Sequence, residues 1–321
     1  MSPAKVEDYP RTLEELESRF SSEEACRSYL WALRWPNGFQ CPKCSGLRVW
    51  PTGRPNLYEC GSCGHQVSVT TGTIFEKTRK PLVMWFRAIW WITNEKTGAN
   101  ALGLQKALGL NSYQTAWAWM HKIRRAMVRP GRDRLAGKVE VDETYIGGTK
   151  PGARGRGSEN KALVAIAAEE DGEGIGRIRM ARIPDPSSES LEAFITSSIE
   201  PGAIVHTDAW GGYSKIESLG YIHEVSNIAK ENTEGHAVMP RVHLVASLVK
   251  RWRMGTYQGS ISAEHLDYYL DEFTFRFNRR KSRSRGKLFY RLLQQAVETE
   301  PTTFPALIGG REQGPHCIGR Q

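Results

Sequence analysis

Two cysteine pairs constrain this chain more than any other feature. Cys41-Pro-Lys-Cys44 is followed, after 15 residues, by Cys60-Gly-Ser-Cys63. Each pair fits a tight turn that aims both sulfurs to one side, and two such turns close a tetrahedral thiolate site. Four sulfurs leave no position for water, so the expected metal is a structural zinc. A unit of roughly 30 residues with so little apolar core needs that metal to fold. His65 follows two residues after Cys63 and could compete as a ligand, but four cysteines already complete the set. Cys26, on a helical pattern, and Cys317, in the tail, read as free thiols.

The chain has 321 residues, with 44 Lys and Arg against 35 Asp and Glu, a net charge of +9. Such an excess favours a polyanionic partner, because each cation placed on a phosphate releases condensed counterions. The most apolar stretch, Val83 to Ile92, is interrupted by Arg87 and falls well short of the ~18 residues a membrane span needs. No membrane association is expected. The polar, acidic opening MSPAKVEDYPRTLEELESRF does not have the pattern of a secretory signal. The expected location is therefore the cytoplasm, where cysteines stay reduced or bind metal.

The punctuation of the chain suggests several modules. Residues 1–38 carry two helices, which Thr12 and Ser22 can cap, and Trp35-Pro36-Asn37-Gly38 ends them. Residues 39–72 form the cysteine-bearing hairpins. Residues 80–130 are helical and rich in Trp. Residues 136–298 alternate strands and helices, and 299–321 form a tail. The stretches 147–161 and 279–287 are basic and of low complexity.

Within the helical module, residues 99–127 have the pattern of a helix-turn-helix. Ala101 to Leu108 forms one helix, Gly109-Leu110-Asn111 the turn, and Ser112 caps the second. In that motif the start of the second helix enters the major groove. Ser112, Tyr113, Gln114 and Thr115 would then lie near bases, and Lys122, Arg124 and Arg125 near phosphates. Trp85, Trp90 and Trp91 read as core, and packing also suits Trp117 and Trp119 better than base stacking. Lys43, Arg48 and Arg54 are compatible with DNA contact by the cysteine-bearing hairpins, although such units also dock proteins.

From Val139 the order is three strands, helix, strand, helix, strand, helices, which predicts a mixed sheet covered by helices. VEVDETYI places Val139 and Val141 on one face of a strand and Glu140 and Asp142 on the other. Glu143 should point away from Asp142, though strand twist could bring it near. An acid in the middle of a central strand is costly unless it binds a cation. AIVHTD208 ends another apolar strand in an acid. Two acids from neighbouring strands can share divalent metal, the arrangement used for phosphodiester chemistry with two hard cations about 3.5–4 Å apart.

VDETYIGG, HTDAWGGY and VHLVASLVKRWRMGTYQGSISAEHLDYYLDEFTFRFNRR resemble the catalytic blocks of bacterial insertion-sequence transposases, which carry a zinc ribbon ahead of a DDE-type domain. The resemblance runs from WPNGFQCPKC to RFNRR. It implies a multi-domain chain in which an α/β, RNase H-like catalytic domain follows the ribbon and the helix-turn-helix-like segment. In that fold the first acid lies on the first strand and the second ends the fourth. The resemblance thus implies Asp142 and Asp208 as ligands of catalytic Mg²⁺ or Mn²⁺. The third acid, expected about 35 residues after Asp208, is replaced by His243. Imidazole is a poorer ligand than carboxylate for Mg²⁺ but acceptable to Mn²⁺. Glu264 is the alternative third ligand. Lys250 and Arg251 follow on the same helix and suit DNA phosphates, as do Arg279 and Arg280 with neighbouring Arg276 and Asn278.

The resemblance implies a DNA transposase that cuts element ends and transfers the 3′ hydroxyl into target DNA. It acts on double-stranded DNA and, by analogy, as a homo-oligomer. Two alternatives remain open: a DNA-binding regulator with a degenerate catalytic domain, favoured by His243, and a structure-specific nuclease of the same fold.

Overall fold

The computed structural model describes residues 7–129, 131–147, 161–226, 238–259 and 261–309. The basic stretch after Gly147 and Cys317 lie outside them. The chain forms two compact units, one from the start to Met127 with Ser282–Ala306, the other from Val128 to Lys281 with the chain from Leu307. No helix among the described residues is long and apolar enough to cross a membrane.

The first unit opens with α1 (Leu13–Arg19) and α2 (Glu23–Arg34), capped as expected: Thr12 accepts from the Glu15 N–H and Ser22 from the Ala25 N–H. Three short antiparallel strands follow, β1 (Val49–Pro51), β2 (Tyr58–Cys60) and β3 (Gln66–Val67). Then come α3 (Leu82–Asn94), α4 (Ala101–Leu108) and α5 (Tyr113–Arg125); Ser112 stands at the N-cap of α5 with extended backbone but, contrary to expectation, makes no side-chain capping hydrogen bond. Gly109 ends α4 in the left-handed conformation (φ 61°), which a residue with a Cβ would adopt only at a cost. Trp85 of α3 stacks on Trp119 of α5 with ring centroids 3.9 Å apart, so these indoles are core, as the sequence suggests. The unit is completed by α9 (Arg285–Glu298), which packs on α2 and α3. Residues 282–298, expected in the strand-and-helix module, belong to the first unit. The apolar stripe of α9, with Leu288, Phe289, Leu292 and Leu293 buried, faces the first unit instead.

The second unit is a five-stranded sheet in the order β6-β5-β4-β7-β8. The strands are β4 (Lys138–Gly147), β5 (Lys161–Asp171), β6 (Gly174–Ile183), β7 (Ile204–Asp208) and β8 (Ile222–Ser226). β4, β5 and β6 form an antiparallel meander; β7 pairs parallel to β4, and β8 parallel to β7. One face is covered by α6 (Ser188–Ser198), and the core there includes Val139, Val141, Val205, Leu191 and Phe194. The other face is covered by α7 (Pro240–Tyr257) and α8 (Leu266–Asn278), which enclose Ile166, Ile178, Val242, Val245 and Phe273. This is the RNase H-like mixed sheet that the resemblance implies: a meander, then a crossover through α6 to a strand beside the first.

Candidate active site

Strand alternation decides what faces α7. Val139 and Val141 enter the core under α6, so Glu140 and Asp142 lie on the α7 face. The β4–β7 ladder runs from Lys138↔Ile204 to Glu140↔His206 and stops there. Asp142 and Asp208 each stand two residues beyond that last pair, Asp142 in the middle of β4, where it has parted from β7, and Asp208 at the carboxyl end of β7, beside the point where the connectivity changes direction. Open α/β sheets hold their ligands at such a switch point.

Three further groups converge on Asp142. His243, on the first turns of α7, brings Nδ1 to 3.7 Å from Asp142 Oδ2. The Glu143 N–H donates to Asp142 Oδ1 at 2.8 Å. Lys250 donates from Nζ to Thr144 Oγ1 at 2.6 Å and is close enough to attract Asp142 electrostatically. Burial, then the neighbouring Glu143 carboxylate, then Asp208, push the Asp142 carboxyl from 3.8 up to about 7, despite the opposing Glu143 N–H and Lys250. Carboxylate oxygens and an imidazole are donors that suit a hard divalent cation, and such a cation would relieve the negative potential stored here, although the ligand atoms of Asp142, Asp208 and His243 do not form a group within 4.8 Å of one another as the cysteines do. Asp208 Oδ1 accepts from the Trp210 N–H at 3.0 Å, which fixes its rotamer at the strand end.

Glu143 is on the α6 side of the strand, as alternation requires, yet its charge is felt at Asp142. Its Oε2 accepts a 2.7 Å hydrogen bond from Tyr213, a fully buried residue of the Trp-Gly-Gly-Tyr turn after Asp208. Sequence reasoning did not assign Tyr213 or Thr144. The signal for Tyr213 was a buried-type aromatic fixed five residues beyond the second acid. Glu264, the alternative third ligand, is exposed on a 3₁₀ turn whose Ala263 carbonyl is held by Arg182 of β6, two strands away from β4.

The cysteines converge as the spacing predicts. Cys41 and Cys63 sulfurs lie 3.8 Å apart, and those of Cys44 and Cys60 3.6 Å apart. Tetrahedral zinc at about 2.3 Å from each sulfur requires edges of about 3.8 Å. Among the described residues this is the group of three or more such side chains whose ligand atoms all lie within 4.8 Å of one another; His65 is not part of it. The two turns are built alike. Cys41 N–H donates to Gly46 O and Ser45 N–H to Cys41 O; Cys60 N–H donates to His65 O and Gly64 N–H to Cys60 O. Ser45 and Gly64, equivalent in the two turns, are both left-handed. Cys26 is buried away from this site, and burial pushes its thiol up to about 12.

Residues 134–278 match the ISXO2-like transposase domain and residues 21–66 the transposase zinc-ribbon domain, together more than half of the chain. The chain belongs to the insertion-sequence transposases. A protein of the transposable element ISH50 from Halobacterium salinarum is 26% identical to this transposase over 277 residues, 80% of this chain and 91% of that one. Among solved structures, the simian T-cell lymphotropic virus intasome in complex with PP2A regulatory subunit B56 gamma aligns with 58% of the transposase and 70% of its own chain, with a TM-score of 0.32 at 14% identity. The Mos1 strand transfer complex aligns with 66% and 75%, with a TM-score of 0.28 at 12% identity.

The cationic residues of the transposase divide into two groups. Along α5, Tyr113 and Gln114 are exposed at its start, and Ser112, Lys122 and Arg125 are half-buried. Arg124 is buried and donates to the Ala99 carbonyl, which corrects the expectation that it faces phosphate; its position on the helix turns it inward. Lys250 and Arg251 are exposed on α7. Arg280 is a second correction. It donates to the Gly176 and Ile175 carbonyls and lies over the Phe277 ring, while Asn278 exchanges two hydrogen bonds with Ile178. These side chains cover the edge of β6, where exposed strand groups need partners. Arg279 lies over Phe275 and donates to its carbonyl, and Arg276 pairs with Glu272. The RFNRR segment is therefore an edge-sealing element in this structure.

Proposed function

We propose that the transposase cuts DNA strands at the ends of its element and joins the freed 3′ hydroxyl to target DNA, using Asp142, Asp208 and His243 as the ligands of divalent metal. The observation that carries this reading is the pair of acids just past the last β4–β7 row, with the Asp142 carboxyl pushed up to about 7 by burial and by its acidic neighbours. Magnesium or manganese held there would supply activation of the attacking oxygen and stabilisation of the leaving one. The protein's own part is positioning. Asp142 presents hard oxygens from the middle of β4 and Asp208 from the end of β7, His243 presents an imidazole nitrogen, and Lys250 faces the same space with a charge suited to a phosphate. Ser112, Tyr113 and Gln114 are proposed to lie against base edges, with Lys122, Arg125 and Arg251 on phosphates. Two DNA ends brought together imply a homo-oligomer.

Asn at Asp142 or Asp208 removes the charge and keeps the shape. Each should abolish nicking of end DNA while leaving DNA affinity within about twofold, and a fully active Asp142→Asn enzyme would remove the proposal. A site with imidazole in place of the third carboxylate should work better with Mn²⁺ than with Mg²⁺. His243→Ala should lower nicking sharply, His243→Glu should keep it or shift its preference toward Mg²⁺, and Glu264→Ala should be silent. The opposite result for the two alanine variants would move the third position to Glu264. The absence of a third acid favours a second reading, a DNA-binding regulator. It predicts DNA binding with no metal-dependent cleavage by the wild-type protein.

A further inference from the structure

α7 begins without a cap of its own. Met239 at the N-cap makes no side-chain hydrogen bond, and Pro240 opens the first turn, so the N–H groups of that turn need partners from elsewhere. Their partner is Glu140, on the strand that carries Asp142. The N–H groups of Arg241 and Val242 both donate to Glu140 Oε2 at 2.8 Å, and Arg241 Nη1 donates to Oε1 at 2.9 Å. Arg241 also pairs with Glu170 of β5 at 3.2 Å and donates to the Gly172 and Gly174 carbonyls of the β5–β6 turn. Glu140 is 1% exposed. A carboxylate so deep in the sheet is costly unless its lone pairs are filled, and here a helix terminus and a guanidinium fill them.

The same face of β4 meets α7 at three successive outward positions. Glu140 holds Arg241 and Val242, Asp142 faces His243 at 3.7 Å, and Thr144 accepts from Lys250 at 2.6 Å. A cap supplied from α7's own flank would stabilise the helix without setting its height along β4. A cap supplied by Glu140 ties that height to the strand two residues before the first acid. We propose that Glu140 is a positioning residue of the active site: by capping α7 from across the sheet it fixes His243 opposite Asp142. This rests on the reading of Asp142 and His243 as site residues.

The test is a cycle of variants in the full-length zinc-loaded protein, read by nicking at saturating DNA, by DNA affinity and by amide exchange. Glu140→Gln keeps the size of the side chain but weakens the cap and the Arg241 pair. It should speed exchange at the Arg241 and Val242 amides and leave DNA affinity unchanged. It should also lower the nicking rate by about 10²-fold, the scale of a misplacement near 1 Å. In a His243→Ala background the same substitution should cost less than about twofold more, because its route of action is already gone. Arg241→Gln, which leaves both backbone bonds to Glu140, guards against a folding failure of the first variant and should show a smaller loss with the same non-additivity. Unchanged nicking in Glu140→Gln, or an undiminished further loss in the His243→Ala background, overturns the inference. Full activity of Asp142→Asn would instead overturn the site reading on which it rests.

Discussion

At the scale of single residues, the acid site is costly to the protein that carries it. The Asp142 carboxyl is held near 7, by burial first and then by Glu143 and Asp208. A carboxyl raised in the folded state binds its proton more tightly there than in the unfolded chain. Its penalty is absent below about pH 4, grows as pH rises, and is complete above about pH 7. The linkage amounts to at most about 4 kcal/mol. With 21% of the Asp142 side chain in water, roughly half of that is expected. In buffer without added divalent cation, Asp142→Asn should therefore raise the melting temperature at pH 8 and leave it nearly unchanged at pH 4, and thermal melts at the two values check this. Tyr213→Phe should act in the opposite direction. It removes the donor to a half-buried Glu143 and should cost about 1–3 kcal/mol in denaturant unfolding. Much of this was legible beforehand, because the period of a strand puts Asp142 opposite Val141 whatever the fold. The contribution of Glu143 was legible only in part, since alternation assigns its side chain to the far face while its charge, on the adjacent residue, still acts on Asp142.

At the scale of elements, each short segment is held by partners remote in sequence. The zinc ribbon has three strands of two or three residues and depends on its metal. Purified protein should contain about one zinc per chain, and Cys60→Ser should lose it and release amide protection across residues 41–67. Retained protection without zinc would contradict a structural role. α9 meets the N-terminal segment at Gly286, where an added Cβ would collide with the Pro10 carbonyl oxygen. Gly286→Ala should therefore displace backbone and destabilise the first unit by about 1–3 kcal/mol, measured by denaturant unfolding. On α7, replacing Lys250 and Arg251 together should weaken DNA binding for all sequences and flatten its salt dependence; an unchanged slope of log affinity against log salt would exclude phosphate contact there. Helix starts and strands were readable from caps and alternation. What Arg124, Asn278 and Arg280 touch was not, because a basic residue bonded to a carbonyl looks in sequence like one waiting for phosphate.

At the scale of the whole molecule, the chain completes one compact unit only after building the other. It leaves the first at Met127, forms the RNase H-like sheet, and returns at Ser282 to add α9. That return escapes sequence reading: the stripe of α9 marks one face as apolar without saying which core it enters. The excess of 44 basic over 35 acidic residues fits a protein that works on DNA, but charge does not separate a transposase reaction from simple cleavage or from binding. Joining separates them. The most direct measurement incubates the purified protein with a labelled element-end duplex bearing a free 3′ hydroxyl, supercoiled target DNA and Mn²⁺ or Mg²⁺. The account predicts covalently joined label in the target with wild-type protein and none with Asp142→Asn or Asp208→Asn, although both variants still bind the end. Joined product undiminished by those substitutions, or binding and metal-dependent nicking that never yields joined product, would contradict it.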